Sequence, residues 1–514
     1  MSASGTTLPA VGAKAARSGV AATARGGWWG FLGATTNAVS GYALVMLVTR
    51  ALGAHGSGAV FTGVAVFTIL SNACKLGADT GLVRFVSRDV ATGGGRQVGA
   101  LLRTAVVPGA VLSTGAAALL FLSPSTATSL LPNLAAQDAV TLVRLFALFL
   151  PLATVTLILL GATQGYGTVI PLVGVEQIGK PVLRVLIAVP VALLAPGVLS
   201  LAAAWLVPAL GGALVAWYAV RRCRRTRPGQ PPAPDAGVTR HGFWAFAAPR
   251  AISCVFDIGA IWVGVILLSS LATSEEAGIY TAVGRVITAA TLLQLAIRLA
   301  VAPEISRLLA MEQHQSACDL HRISTRWIVL FSWPLLVFLV SFPGTVLSLF
   351  GPEFVAGSDA LVVLCAAAAV NVGVGNAQTV LLMSGKSSWH LAVTGAAFAV
   401  QLGVGLLAVP RWGVLGAALS WGAAIVVENV AAAVLVRRHP GFSVLDGGYL
   451  LATGTGLLLM AALVLPARLL AGDTTVGLAV AMTTGFSLFG ISLWRFRTPL
   501  GVRELVGVLR ERAT

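Results

Sequence analysis

The chain has 514 residues, of which 57% are hydrophobic and only 10% charged, and its mean hydropathy is +0.89. Soluble domains carry charge on roughly a quarter of their residues, so this composition excludes a water-soluble globular protein. The net charge of +16 raises nucleic acid as a partner. The basic residues, however, lie in short segments between apolar runs, the pattern of cytoplasmic loops in a helical membrane protein, and no nucleic acid is expected.

In chain order, residues 1–27 come first: polar, Ala-rich, with Lys14, Arg17 and Arg25. They lack the compact apolar stretch of a signal peptide and read as a cytoplasmic tail. About fourteen apolar runs follow, each long enough to cross a hydrocarbon core of roughly 30 Å. Six fall near 28–52, 58–84, 104–123, 139–163, 170–195 and 198–220. The first carries "ATTNAVSGY" (34–42), with Thr36 and Ser40 one turn apart beside Asn37. The second ends in "LGADTGLVRFVSR" (76–88), where Lys75, Asp79 and Arg84 interrupt an apolar stretch. In the fifth, Glu176, Lys180 and Arg184 recur every four residues and form one stripe on a helix.

The segment "RRCRRTRPGQPPAPDAGVTRHG" (221–242) is basic, then Pro-rich, and reads as a cytoplasmic linker. Six more runs follow near 243–270, 277–303, 325–350, 359–384, 389–410 and 412–436, then two near 449–471 and 474–495. The seventh places Arg250, Ser253 and Asp257 on one face, and the eighth does the same with Thr291, Gln294 and Arg298; Arg285 lies elsewhere on that eighth helix. The expected class is therefore all-α: a six-helix set over 28–220, a second over 243–436, two additional helices within 437–495, and a cytoplasmic tail at 496–514. Two pairs of similar segments support an internal repeat of parallel topology. "SGAVFT" (57–62) matches "EAGIYT" (276–281), and "PGVLSLAAAW" (196–205) matches "WGVLGAALSW" (412–421).

With both termini inside, most Lys and Arg fall in cytoplasmic segments, and the outer ones reduce to Arg50, Arg144, Arg411 and Arg468. The outer loops then hold Glu275, Glu276, Glu353 and Asp359. Seven cations remain inside spans (Lys75, Arg84, Lys180, Arg184, Arg250, Arg285, Arg298) against the acids Asp79, Glu176, Asp257 and Glu428. A charge at a span centre costs about 2.5–3.5 kcal/mol on insertion scales, so such residues face a bundle interior or an aqueous cavity. One reading is structural pairing, Lys75 with Asp79 and Lys180 with Glu176. Arg84 either snorkels to the inner interface or stands at the inner mouth of a cleft. The cationic surplus points instead to an anionic substrate between the halves, held by Arg84, Lys180, Arg184, Arg250, Arg285 and Arg298. Lys75, Asp79, Glu176 and Asp257 would serve pairing or ion coupling, and Thr36, Asn37, Ser40 and Gln294 would supply polar lining.

Catalytic chemistry has no signature here. No GxxxxGK[ST], HExxH or GxSxG occurs, and "GGG" at 93–95 reads as a loop between spans. The five cysteines are scattered without a CxxC pair and read as core or loop residues. The six histidines are dispersed as well; His390, near a span start, reads as interfacial, with proton coupling as the lesser alternative. Neither a metal nor a cofactor is expected, and the chain is not expected to be an enzyme.

The stretch "TRALGAHGSGAVFTGVAVFTILSNACKLGADTGLVRFVSR" (49–88) resembles polysaccharide flippases of the multidrug/oligosaccharidyl-lipid/polysaccharide (MOP) exporter superfamily. The resemblance rests on Arg50-Ala51-Leu52-Gly53, Gly56-Ser57-Gly58, and Leu76-Gly77-Ala78-Asp79 with Leu82 and Arg84; "GVLGAALSW" (413–421) resembles the family's twelfth-span signature. It implies a MATE-like fold of two pseudo-symmetric bundles in a V, with a cationic cavity and two extra C-terminal helices. The implied activity is translocation of a polyprenyl-pyrophosphate-linked oligosaccharide to the outer leaflet of a bacterial cytoplasmic membrane, for cell-surface polysaccharide. Membrane lipids, polysaccharide polymerase and glycosyltransferases are the partners it implies. A peptidoglycan-precursor flippase and a cation-coupled multidrug exporter of the same superfamily are the alternatives; a membrane enzyme would need a catalytic cluster that the sequence lacks.

Overall fold

The computed structural model describes residues 10–91, 98–132, 134–226, 240–384, 387–438, 442 and 447–495, and among them there is no strand. The first helix, α1 (Ala10–Cys74), is two helices meeting at a kink at Gly53, whose φ of 68° suits only a residue without Cβ. After a break at Lys75–Gly77 comes α2 (Ala78–Ala91), then α3 (Val98–Leu122), α4 (Pro124–Leu130) and α5 (Ala136–Gly165). A short α6 (Ile170–Leu172) passes through a π-helical turn at Val173–Gly179 into α7 (Lys180–Leu194), followed by α8 (Val198–Leu206) and α9 (Pro208–Thr226). The second half comprises α10 (Arg240–Leu271), α11 (Ser274–Ala290), α12 (Leu292–Ala310), α13 (His314–Ser341), α14 (Pro343–Ser348), a 3₁₀ turn at Pro352–Gly357, α15 (Ser358–Gly373), α16 (Ala377–Met383) and α17 (Ser387–Arg438), kinked at Gly413. Two further helices, α18 (Gly447–Ala471) and α19 (Thr475–Arg495), are the last described.

Among the described residues, nine helices are long and apolar enough to cross a membrane. The first and last of these each join two expected spans across a glycine kink. This criterion does not establish the expected fourteen. The eighth run is split at Thr291, between α11 and α12, and the thirteenth and fourteenth coincide with α18 and α19. Boundaries differ too. Helix α1 already begins at Ala10, inside the expected tail, and residues 1–9 lie outside those described. Helices α9 and α10 shorten the expected linker from both sides; 227–239 and the expected tail at 496–514 also lie outside the described residues.

The largest correction concerns the second run, which is not one helix. Leu76 (φ 53°) and Gly77 (φ 67°) break it between α1 and α2. A break at membrane depth is tolerated where protein surrounds it. A Cβ at Gly77 would overlap the Ala247 carbonyl of α10, and one at Gly161 of α5 would lie 2.6 Å from the Asp79 Cα. The π turn in the fifth run has a related cause: Pro181 has no N–H to continue the α ladder, and the Lys180 N–H instead reaches back five residues to the Val175 carbonyl.

The main apolar cluster joins the two halves, packing Val45 and Val48 of α1 with Ile279 and Val283 of α11, Leu364 of α15, and Phe350 and Phe354. Gly58 and Gly278, from the two matched segments, bring α1 and α11 into backbone contact there. Helices α18 and α19 lie against α13 and the following turn through Leu330, Phe338, Phe342, Ala452 and Ala481. Asp473, before α19, accepts the Gly344 and Thr345 N–H groups (2.9 and 3.0 Å) and the Thr345 hydroxyl, satisfying the first donors of α14. Asp473→Ala is expected to cost about 1–2 kcal/mol, read as a lower thermal midpoint of the purified protein.

Candidate functional site

The intramembrane charges fall into three groups. The first straddles the α1–α2 break. Lys75 Nζ donates to Asp79 Oδ2 at 2.8 Å, and the ammonium is buried. The Cys254 thiol of α10 lies beside the same ammonium, so the pair touches the other half. Glu176, on the π turn, holds buried Lys180 in the same i,i+4 relation. The two lysines are thus neutralised by neighbours on their own strand of sequence.

The second group gathers in the second half. Asp257 of α10 lies within electrostatic reach of Arg250 on its own helix and of His390 on α17. Glu428 on the far limb of α17 is within reach of Asp257 and Arg298, and it accepts from the Thr394 hydroxyl at 3.5 Å. Arg250, Asp257 and Arg298 are exposed on the protein surface, while Glu428 and His390 are half-buried. Gln294 is turned away into an amide–amide contact with Asn371 at 3.1 Å. Neither His390 nor Thr394 was selected from sequence. His390 sits at a span start like an interfacial residue, and only the packing of α10 against α17 reveals its partner.

The third group is cationic with no ion pair among the described residues: Arg184 and Arg285. Arg184 Nε donates to the Trp205 carbonyl at 3.0 Å, and its guanidinium carbon stands 3.7 Å above the Trp205 ring. Arg285 of α11 lies over Trp262 of α10 at 5.7 Å, and its Nη1 would be 3.8 Å from a Cβ at Gly41 of α1. The two arginines come from opposite halves and sit within electrostatic reach of each other, and Arg184 is also within reach of Glu176, the acid that pairs with Lys180. Each rests on a tryptophan face that attracts a cation without neutralising it, so both retain charge and donors for a ligand. Sequence reading picked the arginines but not the rings, since a Trp on the neighbouring helix, more than twenty residues away, leaves no periodic signal.

The remaining expected residues lie apart. Arg84 is exposed over Phe246 of α10 at 4.3 Å, with Phe85 at 5.8 Å. Thr36 spends its hydroxyl on the Leu32 carbonyl at 2.8 Å; Asn37 is exposed and Ser40 half-buried. Ser253 has no described side chain. Of the seven cations, then, two are buried lysines paired with half-buried acids, two share the acid cluster of α10 and α17, Arg84 sits on an aromatic surface, and Arg184 and Arg285 approach each other.

The family model for "Polysaccharide biosynthesis protein" matches residues 23–309, more than half of the sequence. The chain belongs to this family. It is a multi-pass membrane transporter of the MOP superfamily, and its fold is shared by solved members. A lipid II flippase, MurJ, in an inward closed conformation aligns over 91% of this chain and 98% of its own, with 12% identity and a TM-score of 0.72. An inward-facing multidrug resistance MATE transporter covers 78% and 94%, with 12% identity and a TM-score of 0.64. A MOP transporter from Pyrococcus furiosus, described by the reverse polarity of its binding pocket, covers 80% and 93%, with 16% identity and a TM-score of 0.56. No curated protein matches the chain in sequence.

Proposed function

We propose that this family member moves a polyprenyl-pyrophosphate-linked oligosaccharide from the inner to the outer leaflet of a bacterial cytoplasmic membrane, supplying cell-surface polysaccharide synthesis, with both termini cytoplasmic. The observation that carries the reading is the approach of Arg184 and Arg285 from opposite halves. Two guanidiniums on tryptophan faces, with no ion pair among the described residues, can offer a pyrophosphate the paired, charge-assisted hydrogen bonds it accepts. The sugar head cannot cross hydrocarbon unaided, whereas the polyprenyl tail stays in lipid. Rocking one half against the other would expose the head to each side in turn. The six cations expected from sequence thereby narrow to two for the head. Lys180 serves to hold Glu176, and Arg84 stands on the route in, at the cytoplasmic end. With Asp79 and Glu176 engaged, Asp257 is the acid left for coupling to an ion.

Near-complete overlap with a lipid II flippase favours one second reading, transport of the peptidoglycan precursor, which carries the same kind of pyrophosphate. Purified protein in vesicles tests both. Labelled lipid-linked oligosaccharide should reach the outer leaflet, and Arg184→Gln with Arg285→Gln should slow it about 100-fold, the loss of two charge-assisted contacts. Flipping of lipid II at the wild-type rate, with none of the oligosaccharide, would favour the second reading. Unimpaired flipping by the double variant would remove the arginine pair from the mechanism.

A further inference from the structure

The Arg50-Ala51-Leu52-Gly53 motif takes no part in holding the head, yet the structure gives it a partner nearly 300 positions away in the chain. Residues 349–353, from the end of α14 into the start of the 3₁₀ turn, run along α1 and touch it three times. Phe350 meets the Tyr42 ring edge-on, with centroids 5.3 Å apart. Arg50 Nε donates to the Leu349 carbonyl at 2.8 Å. The Ala54 N–H, freed from the helical ladder by the Gly53 kink, donates to Glu353 Oε1 at 2.6 Å. Each contact joins the first half to the second.

We infer that residues 349–353 form a strap that closes the exterior end of the transporter, with Arg50 and Glu353 as its releasable bonds. The location follows from the charge asymmetry that places Arg50 and Glu353 outside. The strap is anchored on its own half: Phe350 and Phe354 are fully buried and their rings lie 6.2 Å apart. Gly351, at φ 147°, bends the chain so that Leu349 and Glu353 both reach α1. The same apolar cluster takes in Val45 and Val48 of α1, and Tyr42 meets Phe350; two hydrogen bonds add to this packing at an end where Arg50 and Glu353 are exposed. Water can replace such bonds, so they break without unpacking the core. The kink supplies the Ala54 N–H, the arginine supplies a donor three residues before the kink, and the carboxylate from the other half accepts the first. The motif is thereby a docking point for the opposite half. Tyr42 follows Gly41, against which Arg285 rests, so the strap ends one residue from the proposed head site. The inference rests on the transport reading only for its purpose; the closure itself is readable without substrate.

The experiment uses full-length protein with its five cysteines replaced, reconstituted in liposomes, with spin labels at His55→Cys and Ala356→Cys, both exposed near the strap. The parent should show one short distance. Arg50→Ala and Glu353→Ala should each raise the ratio of separated to closed populations about tenfold, the effect of losing one hydrogen bond to a charged group. Arg50→Lys, which keeps a donor, should restore the short distance. Thermal midpoints should remain near the parent's, as a structural tie in the core would not allow. An unchanged distance distribution in the Arg50→Ala, Glu353→Ala double variant overturns the strap. So does a shift that appears only with a collapse of the thermal midpoint. Failure of oligosaccharide flipping in the parent would leave these distances as expected and would count against the substrate instead.

Discussion

Asp79→Ala is expected to destabilise the protein by about 3–5 kcal/mol, the usual penalty for stranding a buried charge. Lys75 is buried, its ammonium meets Asp79 Oδ2 at 2.8 Å, and the remaining neighbour is the Cys254 thiol, a weak acceptor. The break between α1 and α2 leaves the ammonium no route to the interface. Removing both charges should cost far less than removing one, because the desolvation that the pair endures disappears with it. Lys75→Met with Asp79→Ala is therefore expected to recover most of the lost stability, measured as the thermal midpoint of purified protein. Transport by that double variant separates the two sequence-level readings of Asp79. Flipping near the parent rate would make the pair a structural tie at the helix break; a stable, monodisperse but inactive double variant would give Asp79 a part in ion coupling.

The contrast between this pair and Arg184 shows what the sequence could and could not disclose. Spacing of four residues predicted that Lys75 would meet Asp79 and Lys180 would meet Glu176, and both contacts form. Local spacing succeeds there because partners on one helix face are fixed by helical geometry. Even so, the first pair closes across a break that hydropathy could not detect, since Leu76 and Gly77 are as apolar in a left-handed turn as in a helix. The apolar runs likewise disclosed an all-helical membrane protein, while the α1 and α17 kinks, the π turn and the split at Thr291 depend on a few glycines, a proline and their neighbours. Contacts made between different helices were invisible. Trp205 beneath Arg184, His390 beside Asp257 and Glu353 on the Ala54 N–H are set by packing, not by period. The sequence counted surplus cations; only packing sorted them into those with acids and those without.

Gly58→Ala is expected to reduce flipping more than tenfold while leaving membrane insertion intact, and Gly278→Ala to behave alike. These residues lie within the two segments whose similarity first suggested a repeat, and the fold sets them against each other. A Cβ at Gly58 would overlap the Ser274 carbonyl oxygen and stand 2.9 Å from the Gly278 nitrogen; one at Gly278 would overlap the Ala54 carbonyl and stand 3.0 Å from the Gly58 nitrogen. The obstacles are backbone atoms, so no side chain can swing aside, and α1 must separate from α11. Small residues let membrane helices approach this closely, and overpacking such a contact costs about 1–3 kcal/mol or more. Insertion of each span does not use the contact, so the variants should reach the membrane in normal amounts. What they should lose is closure between the halves, read as an increased distance between labels on α1 and α11 and as slowed flipping in vesicles. Gly115→Ala and Gly211→Ala are matched controls, because an added Cβ meets nothing within 4 Å at either place. Both controls should flip at the parent rate. If Gly58→Ala does so too, with its label distances unchanged, the α1–α11 approach is a passive contact and the halves must close on some other surface.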